Sequence, residues 1–375
     1  CNALSQEPLL ADKVYYPDTA DYRGRIGSIW SASAAQSPWC FVLPESAEDT
    51  ATVIQTLVHN ECSFGILGGG HGDFPTANSI QEGVTIDFGR MDQVTYDAAQ
   101  KIASIGPGSS WQPYELSAAD DLTDAYVDFV ENNHQDKNSS TMLYWVYTHS
   151  TRSLVVQVAM DNTLDIAYPP AYDRYLNTSG LISTSLRSAP MYEITAEFDK
   201  GQPEGLRGNI SNIWLTGAYK NDPRVVKFAA DKHEELIAGK LGGLVSQDSQ
   251  LVTLCSMFPL TQAMIEHGEA NGGNAMNLEA KSGGENGVLF LASLAIDGAD
   301  NEAIALPIMR QWQDEVDAYA TSLGVNWDWR FLNYAYAGQD PIATYATDKI
   351  RAAAGKYDPD GVFQKLRRTG HRIVS

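Results

Sequence analysis

The residues best suited to chemistry form the run Leu67 to Gly72, LGGGHG, which directly follows the short apolar stretch 64–67. Three consecutive glycines carry no Cβ, so their backbone can take a positive φ and bring bare N–H groups close to a phosphate. His71 comes directly after the three glycines, where a ligand bound by them would meet it. A plain tight turn with a surface histidine is the alternative interpretation. We predict a phosphate-type loop with a functional His71.

Charge and length exclude several classes of partner. The chain has 375 residues with 47 acidic against 26 basic side chains, a formal net charge of −21. Such a surface disfavours nucleic acid and anionic membranes, and no apolar stretch is long enough to span a bilayer. No cysteine or histidine spacing matches a zinc site, so we predict no metal. The length allows two domains, and the expected partner is a small-molecule substrate.

The cysteines and three glycosylation triplets favour an extracellular protein. We predict a Cys1–Cys40 disulfide and leave Cys62 and Cys255 as buried thiols. The Asn-x-Ser/Thr triplets begin at Asn138, Asn177 and Asn209. A chain that starts at cysteine is typical of a secreted protein after removal of a signal peptide.

Hydrophobic periodicity predicts an α/β part followed by an α+β part. In the first part, a helix runs from about 47 to 59, strands cover 64–67 and 83–88, and a hairpin spans 93–105. In the second part, the patterns predict a helix at 124–130, a hairpin of 141–147 with 154–160, strands at 191–198, 250–256 and 287–296, and helices at 222–239 and 301–323. Together these elements predict an antiparallel sheet covered by helices.

Several segments together carry a family resemblance. They are SPWCFVLPESAEDTATVIQTL, FGILGGGHGDFPTANSIQEGVTIDFGRMDQV, GPGSSW, FLNYAYAGQDPIATYATDKI and KYDPDGVFQ. Their succession resembles fungal FAD-linked oxidases of the berberine-bridge-enzyme-like group, within the vanillyl-alcohol-oxidase (PCMH-type) flavoprotein superfamily. The resemblance implies an α+β, two-domain scaffold. Residues 1–116 would form the first part of the FAD-binding domain, 117–326 the substrate domain, and 327–375 a segment that returns to the FAD-binding domain.

The resemblance also implies roles for individual residues. His71 would be joined covalently to the flavin, and Asn333 would lie beside the isoalloxazine ring. Glu279 would fall on a strand that faces the ring, where its carboxylate could act as acid or base, or be simply a solvated strand residue. Tyr334 could line the pocket or serve in packing. The residues that would face the FAD pyrophosphate lie between Gly68 and Asn78: Gly68, Gly69, Gly70, Gly72 and Asn78.

The chain departs from the family pattern in two places that bear on function. A long stretch of the FAD-binding domain is missing between Leu116 and Asp121, and Phe331 stands where many members have a tyrosine of the catalytic machinery. We predict an FAD-linked oxidase with an abridged flavin domain, which oxidises a small organic molecule, such as a secondary metabolite or a carbohydrate, with oxygen as acceptor. The alternatives are a flavin-free isomerase or cyclase of the pericyclase type on the same scaffold, and a non-catalytic small-molecule binder.

Overall fold

The computed structural model describes residues 1–92, 108–189, 193, 196 and 210–373. The chain divides into two compact units. The first unit comprises Cys1–Ile102, Arg207–Asn212 and Ala346–Ser375, and the second comprises Ala103–Leu206 and Ile213–Tyr345. The predicted C-terminal segment 327–375 is therefore divided between the two units at residue 346.

The first unit contains a four-stranded sheet of order β1-β2-β4-β3. The strands are β1 (Val14–Tyr15), β2 (Cys40–Val42), β3 (Phe64–Leu67) and β4 (Val84–Asp87). Strand β1 is antiparallel to β2, whereas β2 and β3 both run parallel to β4. The helix Ala47–His59 connects β2 to β3, and the Ser46 side chain caps it by accepting a hydrogen bond from the Asp49 N–H at 3.0 Å.

A disulfide bond closes the N-terminal segment of this unit. Cys1 and Cys40 are bonded, which confirms the predicted pairing. Cys40 belongs to the buried core of the sheet, so the bond fixes the start of the chain against that core. Cys255 is a fully buried thiol as predicted, whereas the Cys62 thiol is only half-buried.

The second unit is built on a six-stranded sheet of order β5-β7-β6-β9-β10-β8. The strands are β5 (Gly108–Tyr114), β6 (Ser139–Thr148), β7 (Ser153–Asn162), β8 (Ile210–Lys220), β9 (Leu251–Leu260) and β10 (Gly287–Asp297). The pairs β5–β7, β7–β6, β6–β9 and β9–β10 are antiparallel. The antiparallel substrate-domain sheet predicted from the sequence is confirmed.

The described helices are mostly short, with two longer ones in the second unit. They span Asn2–Gln6, Ala20–Gly27, Ala47–His59, Ala119–Asn132, Asp173–Leu176, Pro223–Lys232, the π-helix His233–Leu241, Gly242–Leu244, Gln262–Ala270, Leu278–Ser282, Ala299–Ser322, Thr347–Tyr357 and Val362–Lys365. Within the described residues, no helix combines the length and apolar character that crossing a membrane requires.

Helices cover one face of the six-stranded sheet. Trp312 of the helix Ala299–Ser322 packs edge-on against Phe290 of β10, with the ring centroids 5.5 Å apart. Its indole N–H donates to the Ala229 carbonyl at 3.0 Å, which joins this helix to Pro223–Lys232. The cross-strand row Phe290, Met257, Leu143 and Val158 is fully buried on this covered face. Because side chains alternate along a strand, residues one position away lie on the opposite face.

Some predicted elements need correction and others lie outside the described residues. The hairpin at 93–105 is wholly outside them, and so is most of the strand at 191–198. Strand β8 was not predicted at all. Trp327 and Trp329 are buried and lie in the stretch 327–330, which forms no strand.

Candidate functional site

The glycine turn, residues 68–72, follows β3 in the first unit and has a defined geometry. Gly70 takes a φ of +75°, a conformation that favours glycine because other side chains clash there. Its carbonyl accepts a hydrogen bond from the Trp30 N–H at 3.1 Å. The turn predicted from the sequence is present.

Asn78 holds the turn from within. Its side-chain oxygen accepts from the Gly72 N–H at 3.3 Å, and its side-chain N–H₂ donates to the carbonyls of Gly72 at 2.9 Å and Gly70 at 3.3 Å. Asn78 itself is buried, so these bonds are shielded from water. A Cβ on Gly72 would lie 2.5 Å from the Ala77 Cβ, which leaves no room for a side chain there. The back of the turn is therefore tightly packed.

The front of the turn is open, which fits a bound phosphate. Gly68 and Gly69 are exposed, and a Cβ on Gly68 would meet no atom within 4 Å. On Gly69 the nearest atom would be the His71 ring carbon Cδ2 at 3.9 Å. A ligand can therefore approach the bare backbone of these two glycines, the arrangement that phosphate loops use. The residues present fit the pyrophosphate of FAD.

His71 is exposed at the end of the turn and stacks on an aromatic ring. The Trp30 and His71 rings have centroids 5.6 Å apart and planes inclined by 21°. The same Trp30 anchors Gly70 through its backbone, so a single residue supports both the turn and the histidine. An accessible imidazole held by stacking is suited to a covalent flavin link, the role that the resemblance implies.

Asn333 and Tyr334 lie in the second unit, on the short 3₁₀ helix Leu332–Tyr334. Asn333 is exposed. Tyr334 is half-buried among three aromatic rings, those of Trp214, Phe258 and Phe331, with centroid separations of 5.2, 5.8 and 5.0 Å. Burial raises the pKa of Tyr334, so its hydroxyl stays protonated at neutral pH.

The predicted placement of Glu279 on a strand is wrong. Glu279 lies on the five-residue helix Leu278–Ser282, and its side chain is exposed to solvent. Asn277, in the left-handed conformation with a φ of +60°, begins this helix, and Gly283, also at +60°, ends it. These two residues turn the chain before and after Glu279, so no strand forms. Its role as a base stays a prediction without structural support.

The sheet of the second unit carries functional candidates that the sequence did not single out. We name the face opposite the helices the Asp161 face. It is defined by Met142 and Tyr144 of β6, Ala159 and Asp161 of β7, and Ser256 of β9, which share one side through the strand registers. Tyr334 packs against Phe258, which lies two residues beyond Ser256 on β9.

Asp161 is half-buried, and its carboxylate is unusual. Burial raises its pKa to about 6. Burial first, and then the negative charge of Asp161, raise the pKa of Tyr144 well above its usual range. A carboxyl group that titrates near neutrality beside a tyrosine that stays protonated is a common pairing of acceptor and donor in catalytic sites. The alternating hydrophobic patterns of β6 and β7 can be recognised in the sequence, but the sequence does not show which residues of the two strands pair.

A metal-dependent site finds no support in the described parts of the chain. Within residues 1–92, 108–189, 193, 196 and 210–373, no three side chains among His, Cys, Asp and Glu are placed to bind an ion together.

Comparison with protein families agrees with the glycine turn. Residues 38–122 match the family model described as FAD binding domain. This range contains β2, β3, β4 and the turn. FAD is therefore the cofactor that this part of the sequence is built to bind.

Fungal relatives align with the whole chain. The FAD-dependent monooxygenase drtC of Aspergillus calidoustus is 25% identical over 482 residues, covering 100% of this chain and 90% of the relative. The FAD-dependent monooxygenase sdcF of Emericella nidulans is 23% identical, covering 100% and 98%. Because these alignments run over 482 residues and this chain has 375, the relatives contain internal residues without a counterpart here.

Solved structures share the fold over both units. The 6-hydroxy-D-nicotine oxidase of Arthrobacter nicotinovorans superposes with a TM-score of 0.69 at 14% identity, covering 98% of this chain and 99% of that one. The Physcomitrella patens protein BBE-like 1 gives 0.69 at 10% identity, with coverages of 100% and 98%. The match extends over nearly the full length of both structures, and an abridged flavin domain stays a prediction.

The turn, the family model and the shared fold agree with one another. Each supports the two-domain FAD-linked scaffold that the sequence resemblance predicts. The chain therefore contains a match to the FAD binding domain and shares the fold of two-domain FAD-linked oxidases such as BBE-like 1, as the sequence resemblance predicts.

Proposed function

We propose that this enzyme oxidises a small organic molecule with FAD held at the glycine turn and with oxygen as the final electron acceptor. The observation that carries this proposal is the turn itself, whose back is fixed by Asn78 while Gly68 and Gly69 stand open at the front. When bound, FAD supplies the acceptor for a hydride. His71 is the residue we assign to the covalent link, because it is exposed and directly adjoins the open glycines.

The experiment that tests flavin binding is the visible absorption spectrum before and after acid precipitation. We expect flavin bands that remain with the precipitated protein, and we expect His71→Ala to release the flavin into the supernatant. His134→Ala, which removes an exposed histidine of the second unit, is the matched control and should retain the attached flavin. A colourless protein that cannot be reconstituted with FAD would overturn the proposal.

This activity has two forms, oxidase and monooxygenase, which differ in what happens to oxygen. The fungal relatives are named monooxygenases, whereas several structural neighbours are named oxidases or oxidoreductases. We propose the oxidase form, in which oxygen takes electrons and is released as hydrogen peroxide. One equivalent of peroxide for each substrate oxidised supports it. Incorporation of labelled oxygen into the product, without peroxide, contradicts it.

We also propose that the protein is secreted. The Cys1–Cys40 disulfide supports this, because such bonds persist in oxidising compartments. Asn177 is exposed and Asn138 is half-buried, so both glycosylation triplets are within reach of modification. Expression in a fungal host should give a mass that falls on endoglycosidase treatment, and recovery of the protein in the cell fraction without glycans would contradict secretion.

A further inference from the structure

We propose that the second unit binds a free basic amino acid, such as arginine, in a polar cavity beside the helix Ala299–Ser322. The cavity measures about 340 Å³, within the range of about 300–1,000 Å³ that is common for small-molecule sites. Its lining residues lie between Leu215 and Thr344, entirely within the second unit. It shares no lining residue with the glycine turn or with the Asp161 face, so this binding site goes beyond the proposed oxidation.

One side of this helix and one loop segment form the cavity. Residues at positions i, i+3, i+4 and i+7 of a helix share a side, and four lining residues have this spacing: Arg310, Gln313, Asp314 and Asp317. The segment 328–344 lines the cavity as well, and it contributes the carboxylates of Asp328 and Asp340. The cavity therefore holds acidic, basic and amide side chains together.

Gln313 has a buried side-chain oxygen without a partner. The Tyr219 hydroxyl donates its single proton to the Asp317 carboxylate at 2.8 Å, so the atom of Gln313 that lies 3.1 Å from this hydroxyl must be the donating Nε2. The Oε1 atom accepts no hydrogen bond, although Gln313 is only 3% exposed. A buried acceptor without a donor is unfavourable. Because Gln313 lines the cavity, a ligand that carries an N–H donor can satisfy this oxygen.

The Arg310 guanidinium has donors available for a carboxylate. Its Nη2 donates to the Ala337 carbonyl at 3.1 Å, and it forms no ion pair with any described residue. Asp314 follows one helical turn later, but a base that precedes an acid is the weaker order for such a pair on a helix. A guanidinium carries five N–H donors in a planar fork that matches a carboxylate. Arg310 is therefore suited to bind the carboxylate of a ligand.

The other charges of the cavity favour cationic groups on the same ligand. Asp317 is neutralised by Arg330, whose Nη2 lies 2.5 Å from its carboxylate. Three further carboxylates of the lining have no cationic partner among the described residues: Asp314, Asp328 and Asp340. Three negative charges thus stand against the single positive charge of Arg310, and this excess attracts a cation.

A basic α-amino acid satisfies all of these groups at once. Its carboxylate binds Arg310, and its α-ammonium group donates to the Gln313 Oε1 and to the Asp314 carboxylate. Its side-chain cation pairs with Asp328 and Asp340. A dicarboxylic acid would oppose the three carboxylates, and a diamine would leave Arg310 without an anion. A metal ion does not fit, because in the described part of the chain no three acidic side chains are placed to bind one together.

The bound amino acid would join the helix to the segment that carries Asn333 and Tyr334. Gln339 of this segment already connects it to β8, since its side chain accepts from the Thr216 N–H at 3.2 Å and donates to the Thr216 carbonyl at 2.9 Å. A ligand held by Arg310 and Asp340 adds a second connection. Amide hydrogen exchange in the segment 328–344 should therefore slow when the ligand binds.

The test is isothermal titration calorimetry of the full chain with two probes, L-arginine and agmatine, which is arginine without its carboxylate. We expect wild type to bind L-arginine more tightly than agmatine. Arg310→Gln should weaken the binding of L-arginine about tenfold or more, because charge-assisted hydrogen bonds to the carboxylate are lost. The same variant should bind agmatine at least as tightly as wild type does, because a cation that repels agmatine is removed.

Matched variants separate this cavity from general attraction to an acidic protein. Asp314→Asn should weaken the binding of both probes, since both keep an amine. Asp300→Asn, an exposed carboxylate in the first turn of the same helix, is its control. Arg224→Gln, which removes an exposed arginine outside the cavity, is the control for Arg310→Gln. Both control variants should bind the two probes as wild type does.

Several results would overturn the inference. They are the absence of L-arginine binding to wild type, equal affinities of wild type for the two probes, and equal weakening of both probes by Arg310→Gln. Equal losses in Asp314→Asn and Asp300→Asn would show that the probes are attracted only by the net charge of −21. Hydrogen exchange in the segment 328–344 that L-arginine does not change would contradict the location. None of these measurements needs bound flavin, so a failure of the proposed function would leave this inference standing.

Discussion

The glycine turn of the first unit and the Asp161 face of the second present polar groups to a ligand in opposite ways. At the turn the groups are backbone N–H groups of neighbouring residues, held by one side chain, Asn78. On the Asp161 face they are the side chains of Asp161 and Tyr144, which the strand register places on the same side of the sheet. The first arrangement is local in sequence and the second is not.

Because of this difference, we expect the two regions to respond differently to mutation. The turn tolerates little change at its packed positions, because an added atom has nowhere to go. On the Asp161 face, replacing a side chain by one of the same shape should leave the fold intact, because main-chain pairing of the strands sets the shape of this face. Such a replacement changes only the charge and the hydrogen bonding of the face. We expect mutations of the turn to alter stability and flavin content together, and mutations of the face to alter chemistry while stability is kept or raised.

The largest expected effect is at Gly72. In Gly72→Ala the new Cβ would lie 2.5 Å from the Ala77 Cβ and 2.8 Å from the Asn78 Oδ1, so the turn must shift. We expect a loss of about 3 kcal/mol in the free energy of unfolding and loss of bound flavin. Urea denaturation and the visible spectrum measure both. Gly68→Ala is the matched control for stability, since its Cβ would meet no protein atom within 4 Å; equal losses of stability in the two variants would show that packing does not distinguish them.

Asn78→Ala should have the next largest effect. It leaves the Gly72 N–H and two carbonyls without their buried partner, which costs about 2 kcal/mol. The flavin should bind more weakly, and covalent attachment should slow, because the turn loses its fixed form. Gln81→Ala, which removes an exposed acceptor at the Ser37 N–H, serves as a comparison and should change little. Unchanged flavin content in Asn78→Ala would mean that the turn is held by its backbone alone.

Trp30→Ala should have the smallest effect of the three. The stack of Trp30 on His71 is worth about 1 kcal/mol, and the backbone bond from Trp30 to Gly70 is kept. We expect the protein to remain folded with a lower fraction of covalent flavin, and Trp30→Phe to restore part of it. The acid-precipitation assay measures that fraction. If the fraction of covalently bound flavin is the same in the wild type and in both variants, Trp30 does not position His71.

Much of the fold and of the flavin loop was predictable. The helix Ala47–His59 and strand β3 appear within the predicted bounds, and the glycine turn follows them as expected. These features depend on residues close together in the sequence, namely a helix cap, a hydrophobic period and a run of glycines. Glu279 was misplaced because family position, and not a local pattern, had put it on a strand. The residues that turn the chain around it are Asn277 and Gly283, whose left-handed conformations are not specified by hydrophobic period.

The sequence by itself determined the two-domain FAD-linked scaffold, the Cys1–Cys40 pairing and the place of His71, since each follows from short motifs or from their order along the chain. The tertiary structure alone decided that Asp161 and Tyr144 share a face and that the half-buried Asp161 carboxylate has no hydrogen-bond or ion-pair partner among the described residues. The physical reason is that a one-residue change of register would move either side chain to the opposite face of the sheet. Register arises from the packing of the whole sheet, which no single strand encodes.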